Sequence, residues 1–120
     1  MSLRDLLNTI VQSVDGSLAA IIMAYDGIPI DEVTVEQSEF DTELLSVEYA
    51  NVLKEIKRAV DVIKMGDLEE VIISTDRTCV VVRVLSDDFF SALIMKRGSS
   101  IGKGRYMLKL KSFEVLRELS

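Results

Sequence analysis

The sequence predicts an α+β domain in which antiparallel strands form a sheet covered by helices on both faces, and three observations predict it. The pair Asp26-Gly27 joins the apolar run Ala20 to Ala24 to a second strand-like run, as a hairpin does. Three further strand-like runs, 70–75, 78–85 and 89–95, are separated by Asp76-Arg77 and by Ser86-Asp87-Asp88. Connections this short exclude a parallel crossover, so these strands form a meander. Val71-Ile72-Ile73, Cys79-Val80-Val81-Val82 and Ala92-Leu93-Ile94-Met95 do not alternate with polar residues, which requires cover on both faces of the sheet.

Leu3, Leu6, Leu7, Ile10, Val11 and Val14 keep helical spacing, and Ser2 with Asp5 forms a capping-box start. This first helix is expected to end near Gly16. The hairpin follows, with a type I′ turn expected at Asp26-Gly27, where both central residues take positive φ. Pro29 cannot donate to a strand ladder, so the second strand belongs at a sheet edge.

Residues 34–39 read as a polar, acidic connector. Asp41 caps a second helix, with Phe40 and Leu45 as a hydrophobic staple, running to Met65 and stopped by Gly66. Its apolar stripe is Leu45, Tyr49, Val52, Leu53, Ile56, Ala59, Val60 and Ile63, flanked by Leu44 and Val62. The arc covers about half the circumference, against the roughly 100° that docking on one surface needs. A deeply sunk helix explains this width, and so does a dimer-mate helix.

A last helix starts at Ser99 or Ser100 and uses Ile101, Tyr106, Leu110, Phe113 and Leu116. Gly102 and Gly104 weaken its first turns by about 1 kcal/mol each. Close packing against the sheet is their simplest explanation. The second helix then covers one face of the sheet, and the first and last helices cover the other.

Length bounds the chain to one domain, 1–120. Its longest apolar runs fall well short of the ~18 residues of a membrane span, and no secretory signal is expected, so a soluble cytoplasmic protein is. The single cysteine, Cys79, reads as a buried thiol. A net charge of −6 argues against nucleic acid as the main partner. The charge is unevenly spread: no Lys or Arg lies between Arg4 and Lys54, while seven of the fourteen lie between Lys96 and Arg117. Solvated faces explain most of this, and the asymmetry could also steer a partner.

The whole element order, with its hydrophobic strand ending in Asp26-Gly27-Ile28-Pro29, resembles the roadblock/dynein light chain family. The resemblance covers nearly the whole chain. Its bacterial and archaeal members include MglB-like regulators that bind Ras-like GTPases. The resemblance implies a five-stranded sheet in the order 2-1-5-4-3, with the third strand as the far edge. It also implies a homodimer in which that edge pairs across a two-fold axis, with Val71, Ile72 and Ile73 at the seam and Leu53 and Val60 of the second helix as further interface candidates. A small Ras-like GTPase is the implied partner, bound on the second helix by Tyr49, Lys54, Lys57, Arg58 and Asp61. On that placement, Lys57→Glu with Arg58→Glu abolishes binding and leaves the dimer intact.

Enzymatic chemistry finds little support. Residues 97–104 are rich in glycine but have three residues between Gly98 and Gly102 and Gly104 after Lys103, which breaks the phosphate-loop pattern. Anion binding at this helix N-terminus stays physically open. There is no histidine, which removes the commonest general base and metal ligand. Asp31-Glu32, Glu69-Glu70 and Asp87-Asp88 fall at turns and strand ends. No catalytic residue, metal or cofactor is expected. An arginine finger could come from Arg58, Arg77 or Arg97, although the family resemblance disfavours one. The alternatives to a GTPase regulator are a purely structural scaffold and a PAS, GAF or profilin-like sensor of a small ligand.

Overall fold

The structure, a computed structural model, describes residues 1–35 and 41–120. Its elements are α1 (Leu3–Ser13), β1 (Ser17–Ala24), β2 (Pro29–Thr34), α2 (Thr42–Ile63), β3 (Glu70–Ser74), β4 (Thr78–Val84), β5 (Phe89–Lys96) and α3 (Ile101–Leu119). All neighbouring strands are antiparallel and the sheet order is β2-β1-β5-β4-β3. The fold class, strand order and element order are those the sequence and its resemblance predict.

Strand register assigns each apolar residue to a face. Ile21 lies opposite Ala92, Val80 opposite Ile94, and Ile73 opposite Val80, so odd positions of β1 and even positions of β4 and β5 share one side. On that side Ala19, Ile21, Met23, Val80, Val82, Phe90, Ala92 and Ile94 pack with Ala50 and Leu53 of α2. On the other, Ala20, Ile22, Cys79, Val81, Leu93 and Met95 pack with Leu6, Leu7 and Ile10 of α1 and with Met107, Leu108 and Val115 of α3. The continuous apolar runs are thus spent on two cores with the sheet between them. Arg4 binds Asp31 at 2.6 Å and ties α1 to β2.

Local chemistry sets the helix starts. The Ser2 hydroxyl accepts from the Asp5 N–H while the Asp5 carboxylate accepts from the Ser2 N–H, a reciprocal capping box. That pair holds the Asp5 carboxyl below its ordinary value, the backbone hydrogen bond being the larger cause. Asp41 accepts from the N–H groups of Glu43 and Leu44 to cap α2. The Phe40 half of the expected staple lies outside the described residues.

Five local expectations are corrected. The hairpin is not type I′, because only Gly27 has positive φ (+88°). The Gly27 N–H donates to the Ala24 carbonyl and the Ala24 N–H to the Ile28 carbonyl, making a three-residue loop of Tyr25, Asp26 and left-handed Gly27. The Asp26 carboxylate accepts from the Ile28 N–H and stiffens it. Second, α1 ends at Ser13, before Gly16. Third, α2 ends at Ile63, not Met65. Lys64 takes the left-handed conformation (φ +56°) and its N–H reaches the Val60 and Asp61 carbonyls, so it does the work expected of Gly66.

Fourth, the helix faces differ from the apolar stripes. In α2 the buried line is Ser46, Ala50 and Leu53, and Val52, Ala59 and Ile63 are exposed. In α3 the buried line is Gly104, Met107, Leu108 and Val115, whereas Tyr106, Leu110 and Phe113 point outward. Small residues let each helix approach the sheet, and approach decides the face. A Cβ on Gly104 would stand 2.9 Å from the Met95 sulfur and 3.2 Å from Leu93 Cδ2, so this glycine lets α3 pack closely and a side chain here would have to displace the ends of Met95 and Leu93. Fifth, that explanation fails for Gly102, which has open space around it.

Gly27 is under a double constraint. Its φ disfavours any side chain, and an added Cβ would lie 3.1 Å from the Val47 Cα in the α2 backbone. Gly27→Ala is expected to destabilise by about 2 to 4 kcal/mol, read from the urea midpoint. A loss below about 0.5 kcal/mol would show that the loop and α2 move apart at little cost.

Candidate functional site

With both sheet faces buried, the candidate residues lie on the outer surface of α2 and at the β3 edge. The second half of α2 turns Lys54, Lys57, Arg58 and Asp61 toward a groove of about 550 Å³ completed by Tyr25, Val62 and Asp87. Four of the five residues expected to meet a GTPase therefore share one site. Tyr49 does not line this groove. It packs, half-buried, against the α2-side core, and burial raises its hydroxyl above the ordinary pKa.

Lys57 organises the groove. Its ammonium donates to Asp87 at 3.2 Å and sits 5.0 Å from the centroid of the Tyr25 ring, which in turn leans on Phe90 at 5.1 Å. Burial works against its charge, but the hydrogen bond to Asp87 and the attraction of Tyr25, Asp87 and Asp61 prevail, and the Lys57 pKa is raised. Burial also raises the Tyr25 hydroxyl, whose oxygen has no hydrogen-bond partner among the described residues. Lys57 thus clasps α2 to the hairpin and to the β4–β5 turn. Lys54 is exposed, and so is Arg58 beyond a 3.3 Å pair with Glu55. These two cations are the ones open to a partner.

Tyr25 and Asp87 were not among the candidate residues. Their sequence signals, a tyrosine beside an Asp-Gly turn and an acidic pair in a short connection, are those of ordinary loops. Only the folded arrangement brings them to α2.

The second surface is the β3 edge. β3 pairs with β4 alone, and its outer ladder faces away from the sheet. Val71 and Ile73 lean toward α2 and are half-buried, whereas Ile72 is on the α3 side and is exposed. Leu53 is buried in the chain's own core, while Val60 is half-buried beside the edge. Val60, Ile63, Met65 and Leu68 line a second groove, of about 790 Å³, that runs from the end of α2 past the start of β3 to Tyr106 and Lys109 of α3. Beside it Glu70 is shared by Arg83 and Arg105, at 3.6 and 2.6 Å, pinning the start of β3 to β4 and α3. Among the described residues no cluster of three or more acidic or thiol side chains converges as a metal site, and no helix is long and apolar enough to cross a membrane.

This architecture is shared with solved structures. MglC from Myxococcus xanthus is 35% identical, over 98% of this chain and 99% of that one, with a TM-score of 0.71. The chain belongs to the roadblock/LC7 family. A roadblock/LC7 domain from Streptomyces avermitilis matches with a TM-score of 0.84 at 17% identity, over 99% of this chain and 98% of that one. The gliding protein MglB from Thermus thermophilus matches at 0.86 and 13% identity, over 97% of this chain and 87% of that one. No family profile matches the sequence, and no curated protein does. As a roadblock/LC7 domain the chain has its recurrent architecture in full: a five-stranded sheet, one long helix on one face and two on the other.

Proposed function

We propose that this roadblock/LC7 domain is a homodimeric regulator or adaptor of a small Ras-like GTPase, working in the cytoplasm without cofactor or catalytic machinery of its own. The observation that supports this most is the 35% identity with MglC over nearly the full length of both chains. The bare β3 edge supports the dimer. An unpaired strand carrying Val71, Ile72 and Ile73 is a liability in a monomer, and pairing with its two-fold mate removes it. Val60 extends that seam onto α2, with Leu53 supporting it from the core.

The groove along α2 is the proposed GTPase-binding surface, through Lys54, Arg58 and Asp61, with Lys57 holding its shape. Any effect on hydrolysis comes from rearranging the partner's own loops. Of the three arginines weighed as a finger, the Arg97 guanidinium is held by the Thr75 carbonyl at 2.7 Å, whereas Arg58, exposed beyond its 3.3 Å pair with Glu55, and the exposed Arg77 stay accessible.

The test is to immobilise the protein and pass over it lysate of its source organism with a non-hydrolysable GTP analogue or with GDP. Nucleotide-dependent retention of a small GTPase is expected, and retention of none under either condition overturns the reading. Lys54→Glu with Arg58→Glu is expected to weaken capture at least tenfold without changing the size of the protein, since both side chains are exposed. Lys57→Glu is a poorer probe. It would place a carboxylate beside Asp87 and break the clasp, confounding lost binding with a disturbed groove.

A further inference from the structure

We propose that the outward face of α3 binds the acidic first half of α2 from another copy of this chain, so that domains stack head to tail. Tyr106, Leu110 and Phe113 follow one another at helical spacing on the side of α3 opposite its buried line, and are 60%, 50% and 72% exposed. Lys103, Lys109 and Arg117 flank them, Arg117 stacking 5.7 Å from the Phe113 ring. A large apolar stripe on a helix whose other face is already docked marks a contact site.

Charge decides what covers it. Two copies of α3 facing each other would oppose lysines and arginine to lysines and arginine, which is unfavourable. The occupant must surround an apolar centre with acids. The first half of α2 does so, exposing Leu44, Val47 and Val52 (58%, 45% and 46%) among Glu43, Glu48 and Glu55. No Lys or Arg lies between Arg4 and Lys54. The two stripes are of matching length, about 10 to 12 Å from Tyr106 to Phe113 and from Leu44 to Val52.

Because α2 and α3 lie on opposite faces of the sheet, two copies cannot satisfy both surfaces of each other. The contact is heterologous and propagates. It leaves the outer ladder of β3 unpaired, although Tyr106 and Lys109 also line the groove beside that edge, and it does not rest on the GTPase reading.

The test is sedimentation velocity on the full chain from micromolar to near-millimolar concentration, in low and high salt. Species above the smallest oligomer are expected to grow with concentration and to shrink in high salt. Lys103→Glu/Lys109→Glu and Glu43→Lys/Glu48→Lys, each checked for folding by circular dichroism, should each raise the concentration for half-assembly about tenfold. An equimolar mixture of the two variants should restore assembly, because each supplies the face the other needs. General destabilisation would not produce that recovery. The proposal is overturned if the wild type stays at its smallest species throughout, if either variant assembles like the wild type, or if the mixture fails to recover. Binding of the unassembled wild type to phosphatidylglycerol vesicles, lost in Lys103→Glu/Lys109→Glu, would reassign the stripe to a lipid surface and equally overturn it. Nucleotide-dependent GTPase capture is expected to survive Lys103→Glu/Lys109→Glu, which separates this proposal from the regulator reading.

Discussion

Ile72→Lys is expected to convert the proposed homodimer into a monomer while the domain stays folded. Ile72 is 42% exposed at the middle of β3, opposite Val81, and belongs to neither core cluster. The monomer therefore loses little when it is replaced. In a two-fold strand pairing the change counts twice, once from each chain. Ile72 is already more than half covered in the monomer, so burying the rest gives about 0.6 to 1.3 kcal/mol per chain, and losing two such contributions weakens the dimer about tenfold to seventyfold. Lysine also acts as an edge-blocking residue, since its charge resists burial in the seam. Size-exclusion chromatography with light scattering reads the mass, and circular dichroism the fold. A variant that stays dimeric at micromolar concentration would remove β3 from the interface.

Phe90→Ala is expected to destabilise the domain by about 3 to 5 kcal/mol, more than Gly27→Ala does. Phe90 is fully buried on the α2 side of β5, opposite Met23 and Val84, and its ring supports Tyr25. The cavity would open beneath the groove, and Tyr25, Lys57 and Asp87 would lose their floor. Against a typical total of about 5 to 15 kcal/mol this is a large fraction, and the thermal midpoint should fall by roughly 10 to 20 °C. Phe90→Leu should cost less, because the smaller loss of volume is partly repacked. Equal midpoints for Phe90→Ala and wild type would mean that the site collapses freely around the missing ring.

The fold was legible because its decisive signals are local. Ser2 and Asp5 announce a helix start within one turn, and Asp26-Gly27 and the two- and three-residue connections after Thr75 and Leu85 leave only antiparallel neighbours. What was not legible depends on contacts across the chain. An Asp-Gly pair fits a two-residue or a three-residue loop, and the mutual bonds of Ala24 with Gly27 and Ile28 decide between them. α3 has apolar residues on two sides, and the side that docks is the one where Met107, Leu108 and Val115 meet the core and Gly104 lies against Met95 and Leu93, a fit that does not exist until the sheet does. Charge on the second half of α2 brought Lys54, Lys57, Arg58 and Asp61 forward together. Their distribution into exposed cations and a clasp required Asp87, thirty residues further along.

The double cover of the sheet constrains how such a domain diversifies. Strand positions pack on both sides, so nearly every change along β1, β4 and β5 is felt in a core, and little surface there is free to vary. Variation is channelled to the outer faces of the helices and to the two rims of the sheet, where substitutions are tolerated within about ±0.5 kcal/mol. The frame can then persist while its contacts are rewritten. Chains sharing as little as 12% of residues superimpose with TM-scores of 0.85 to 0.87, so kinship in shape outlasts kinship in sequence.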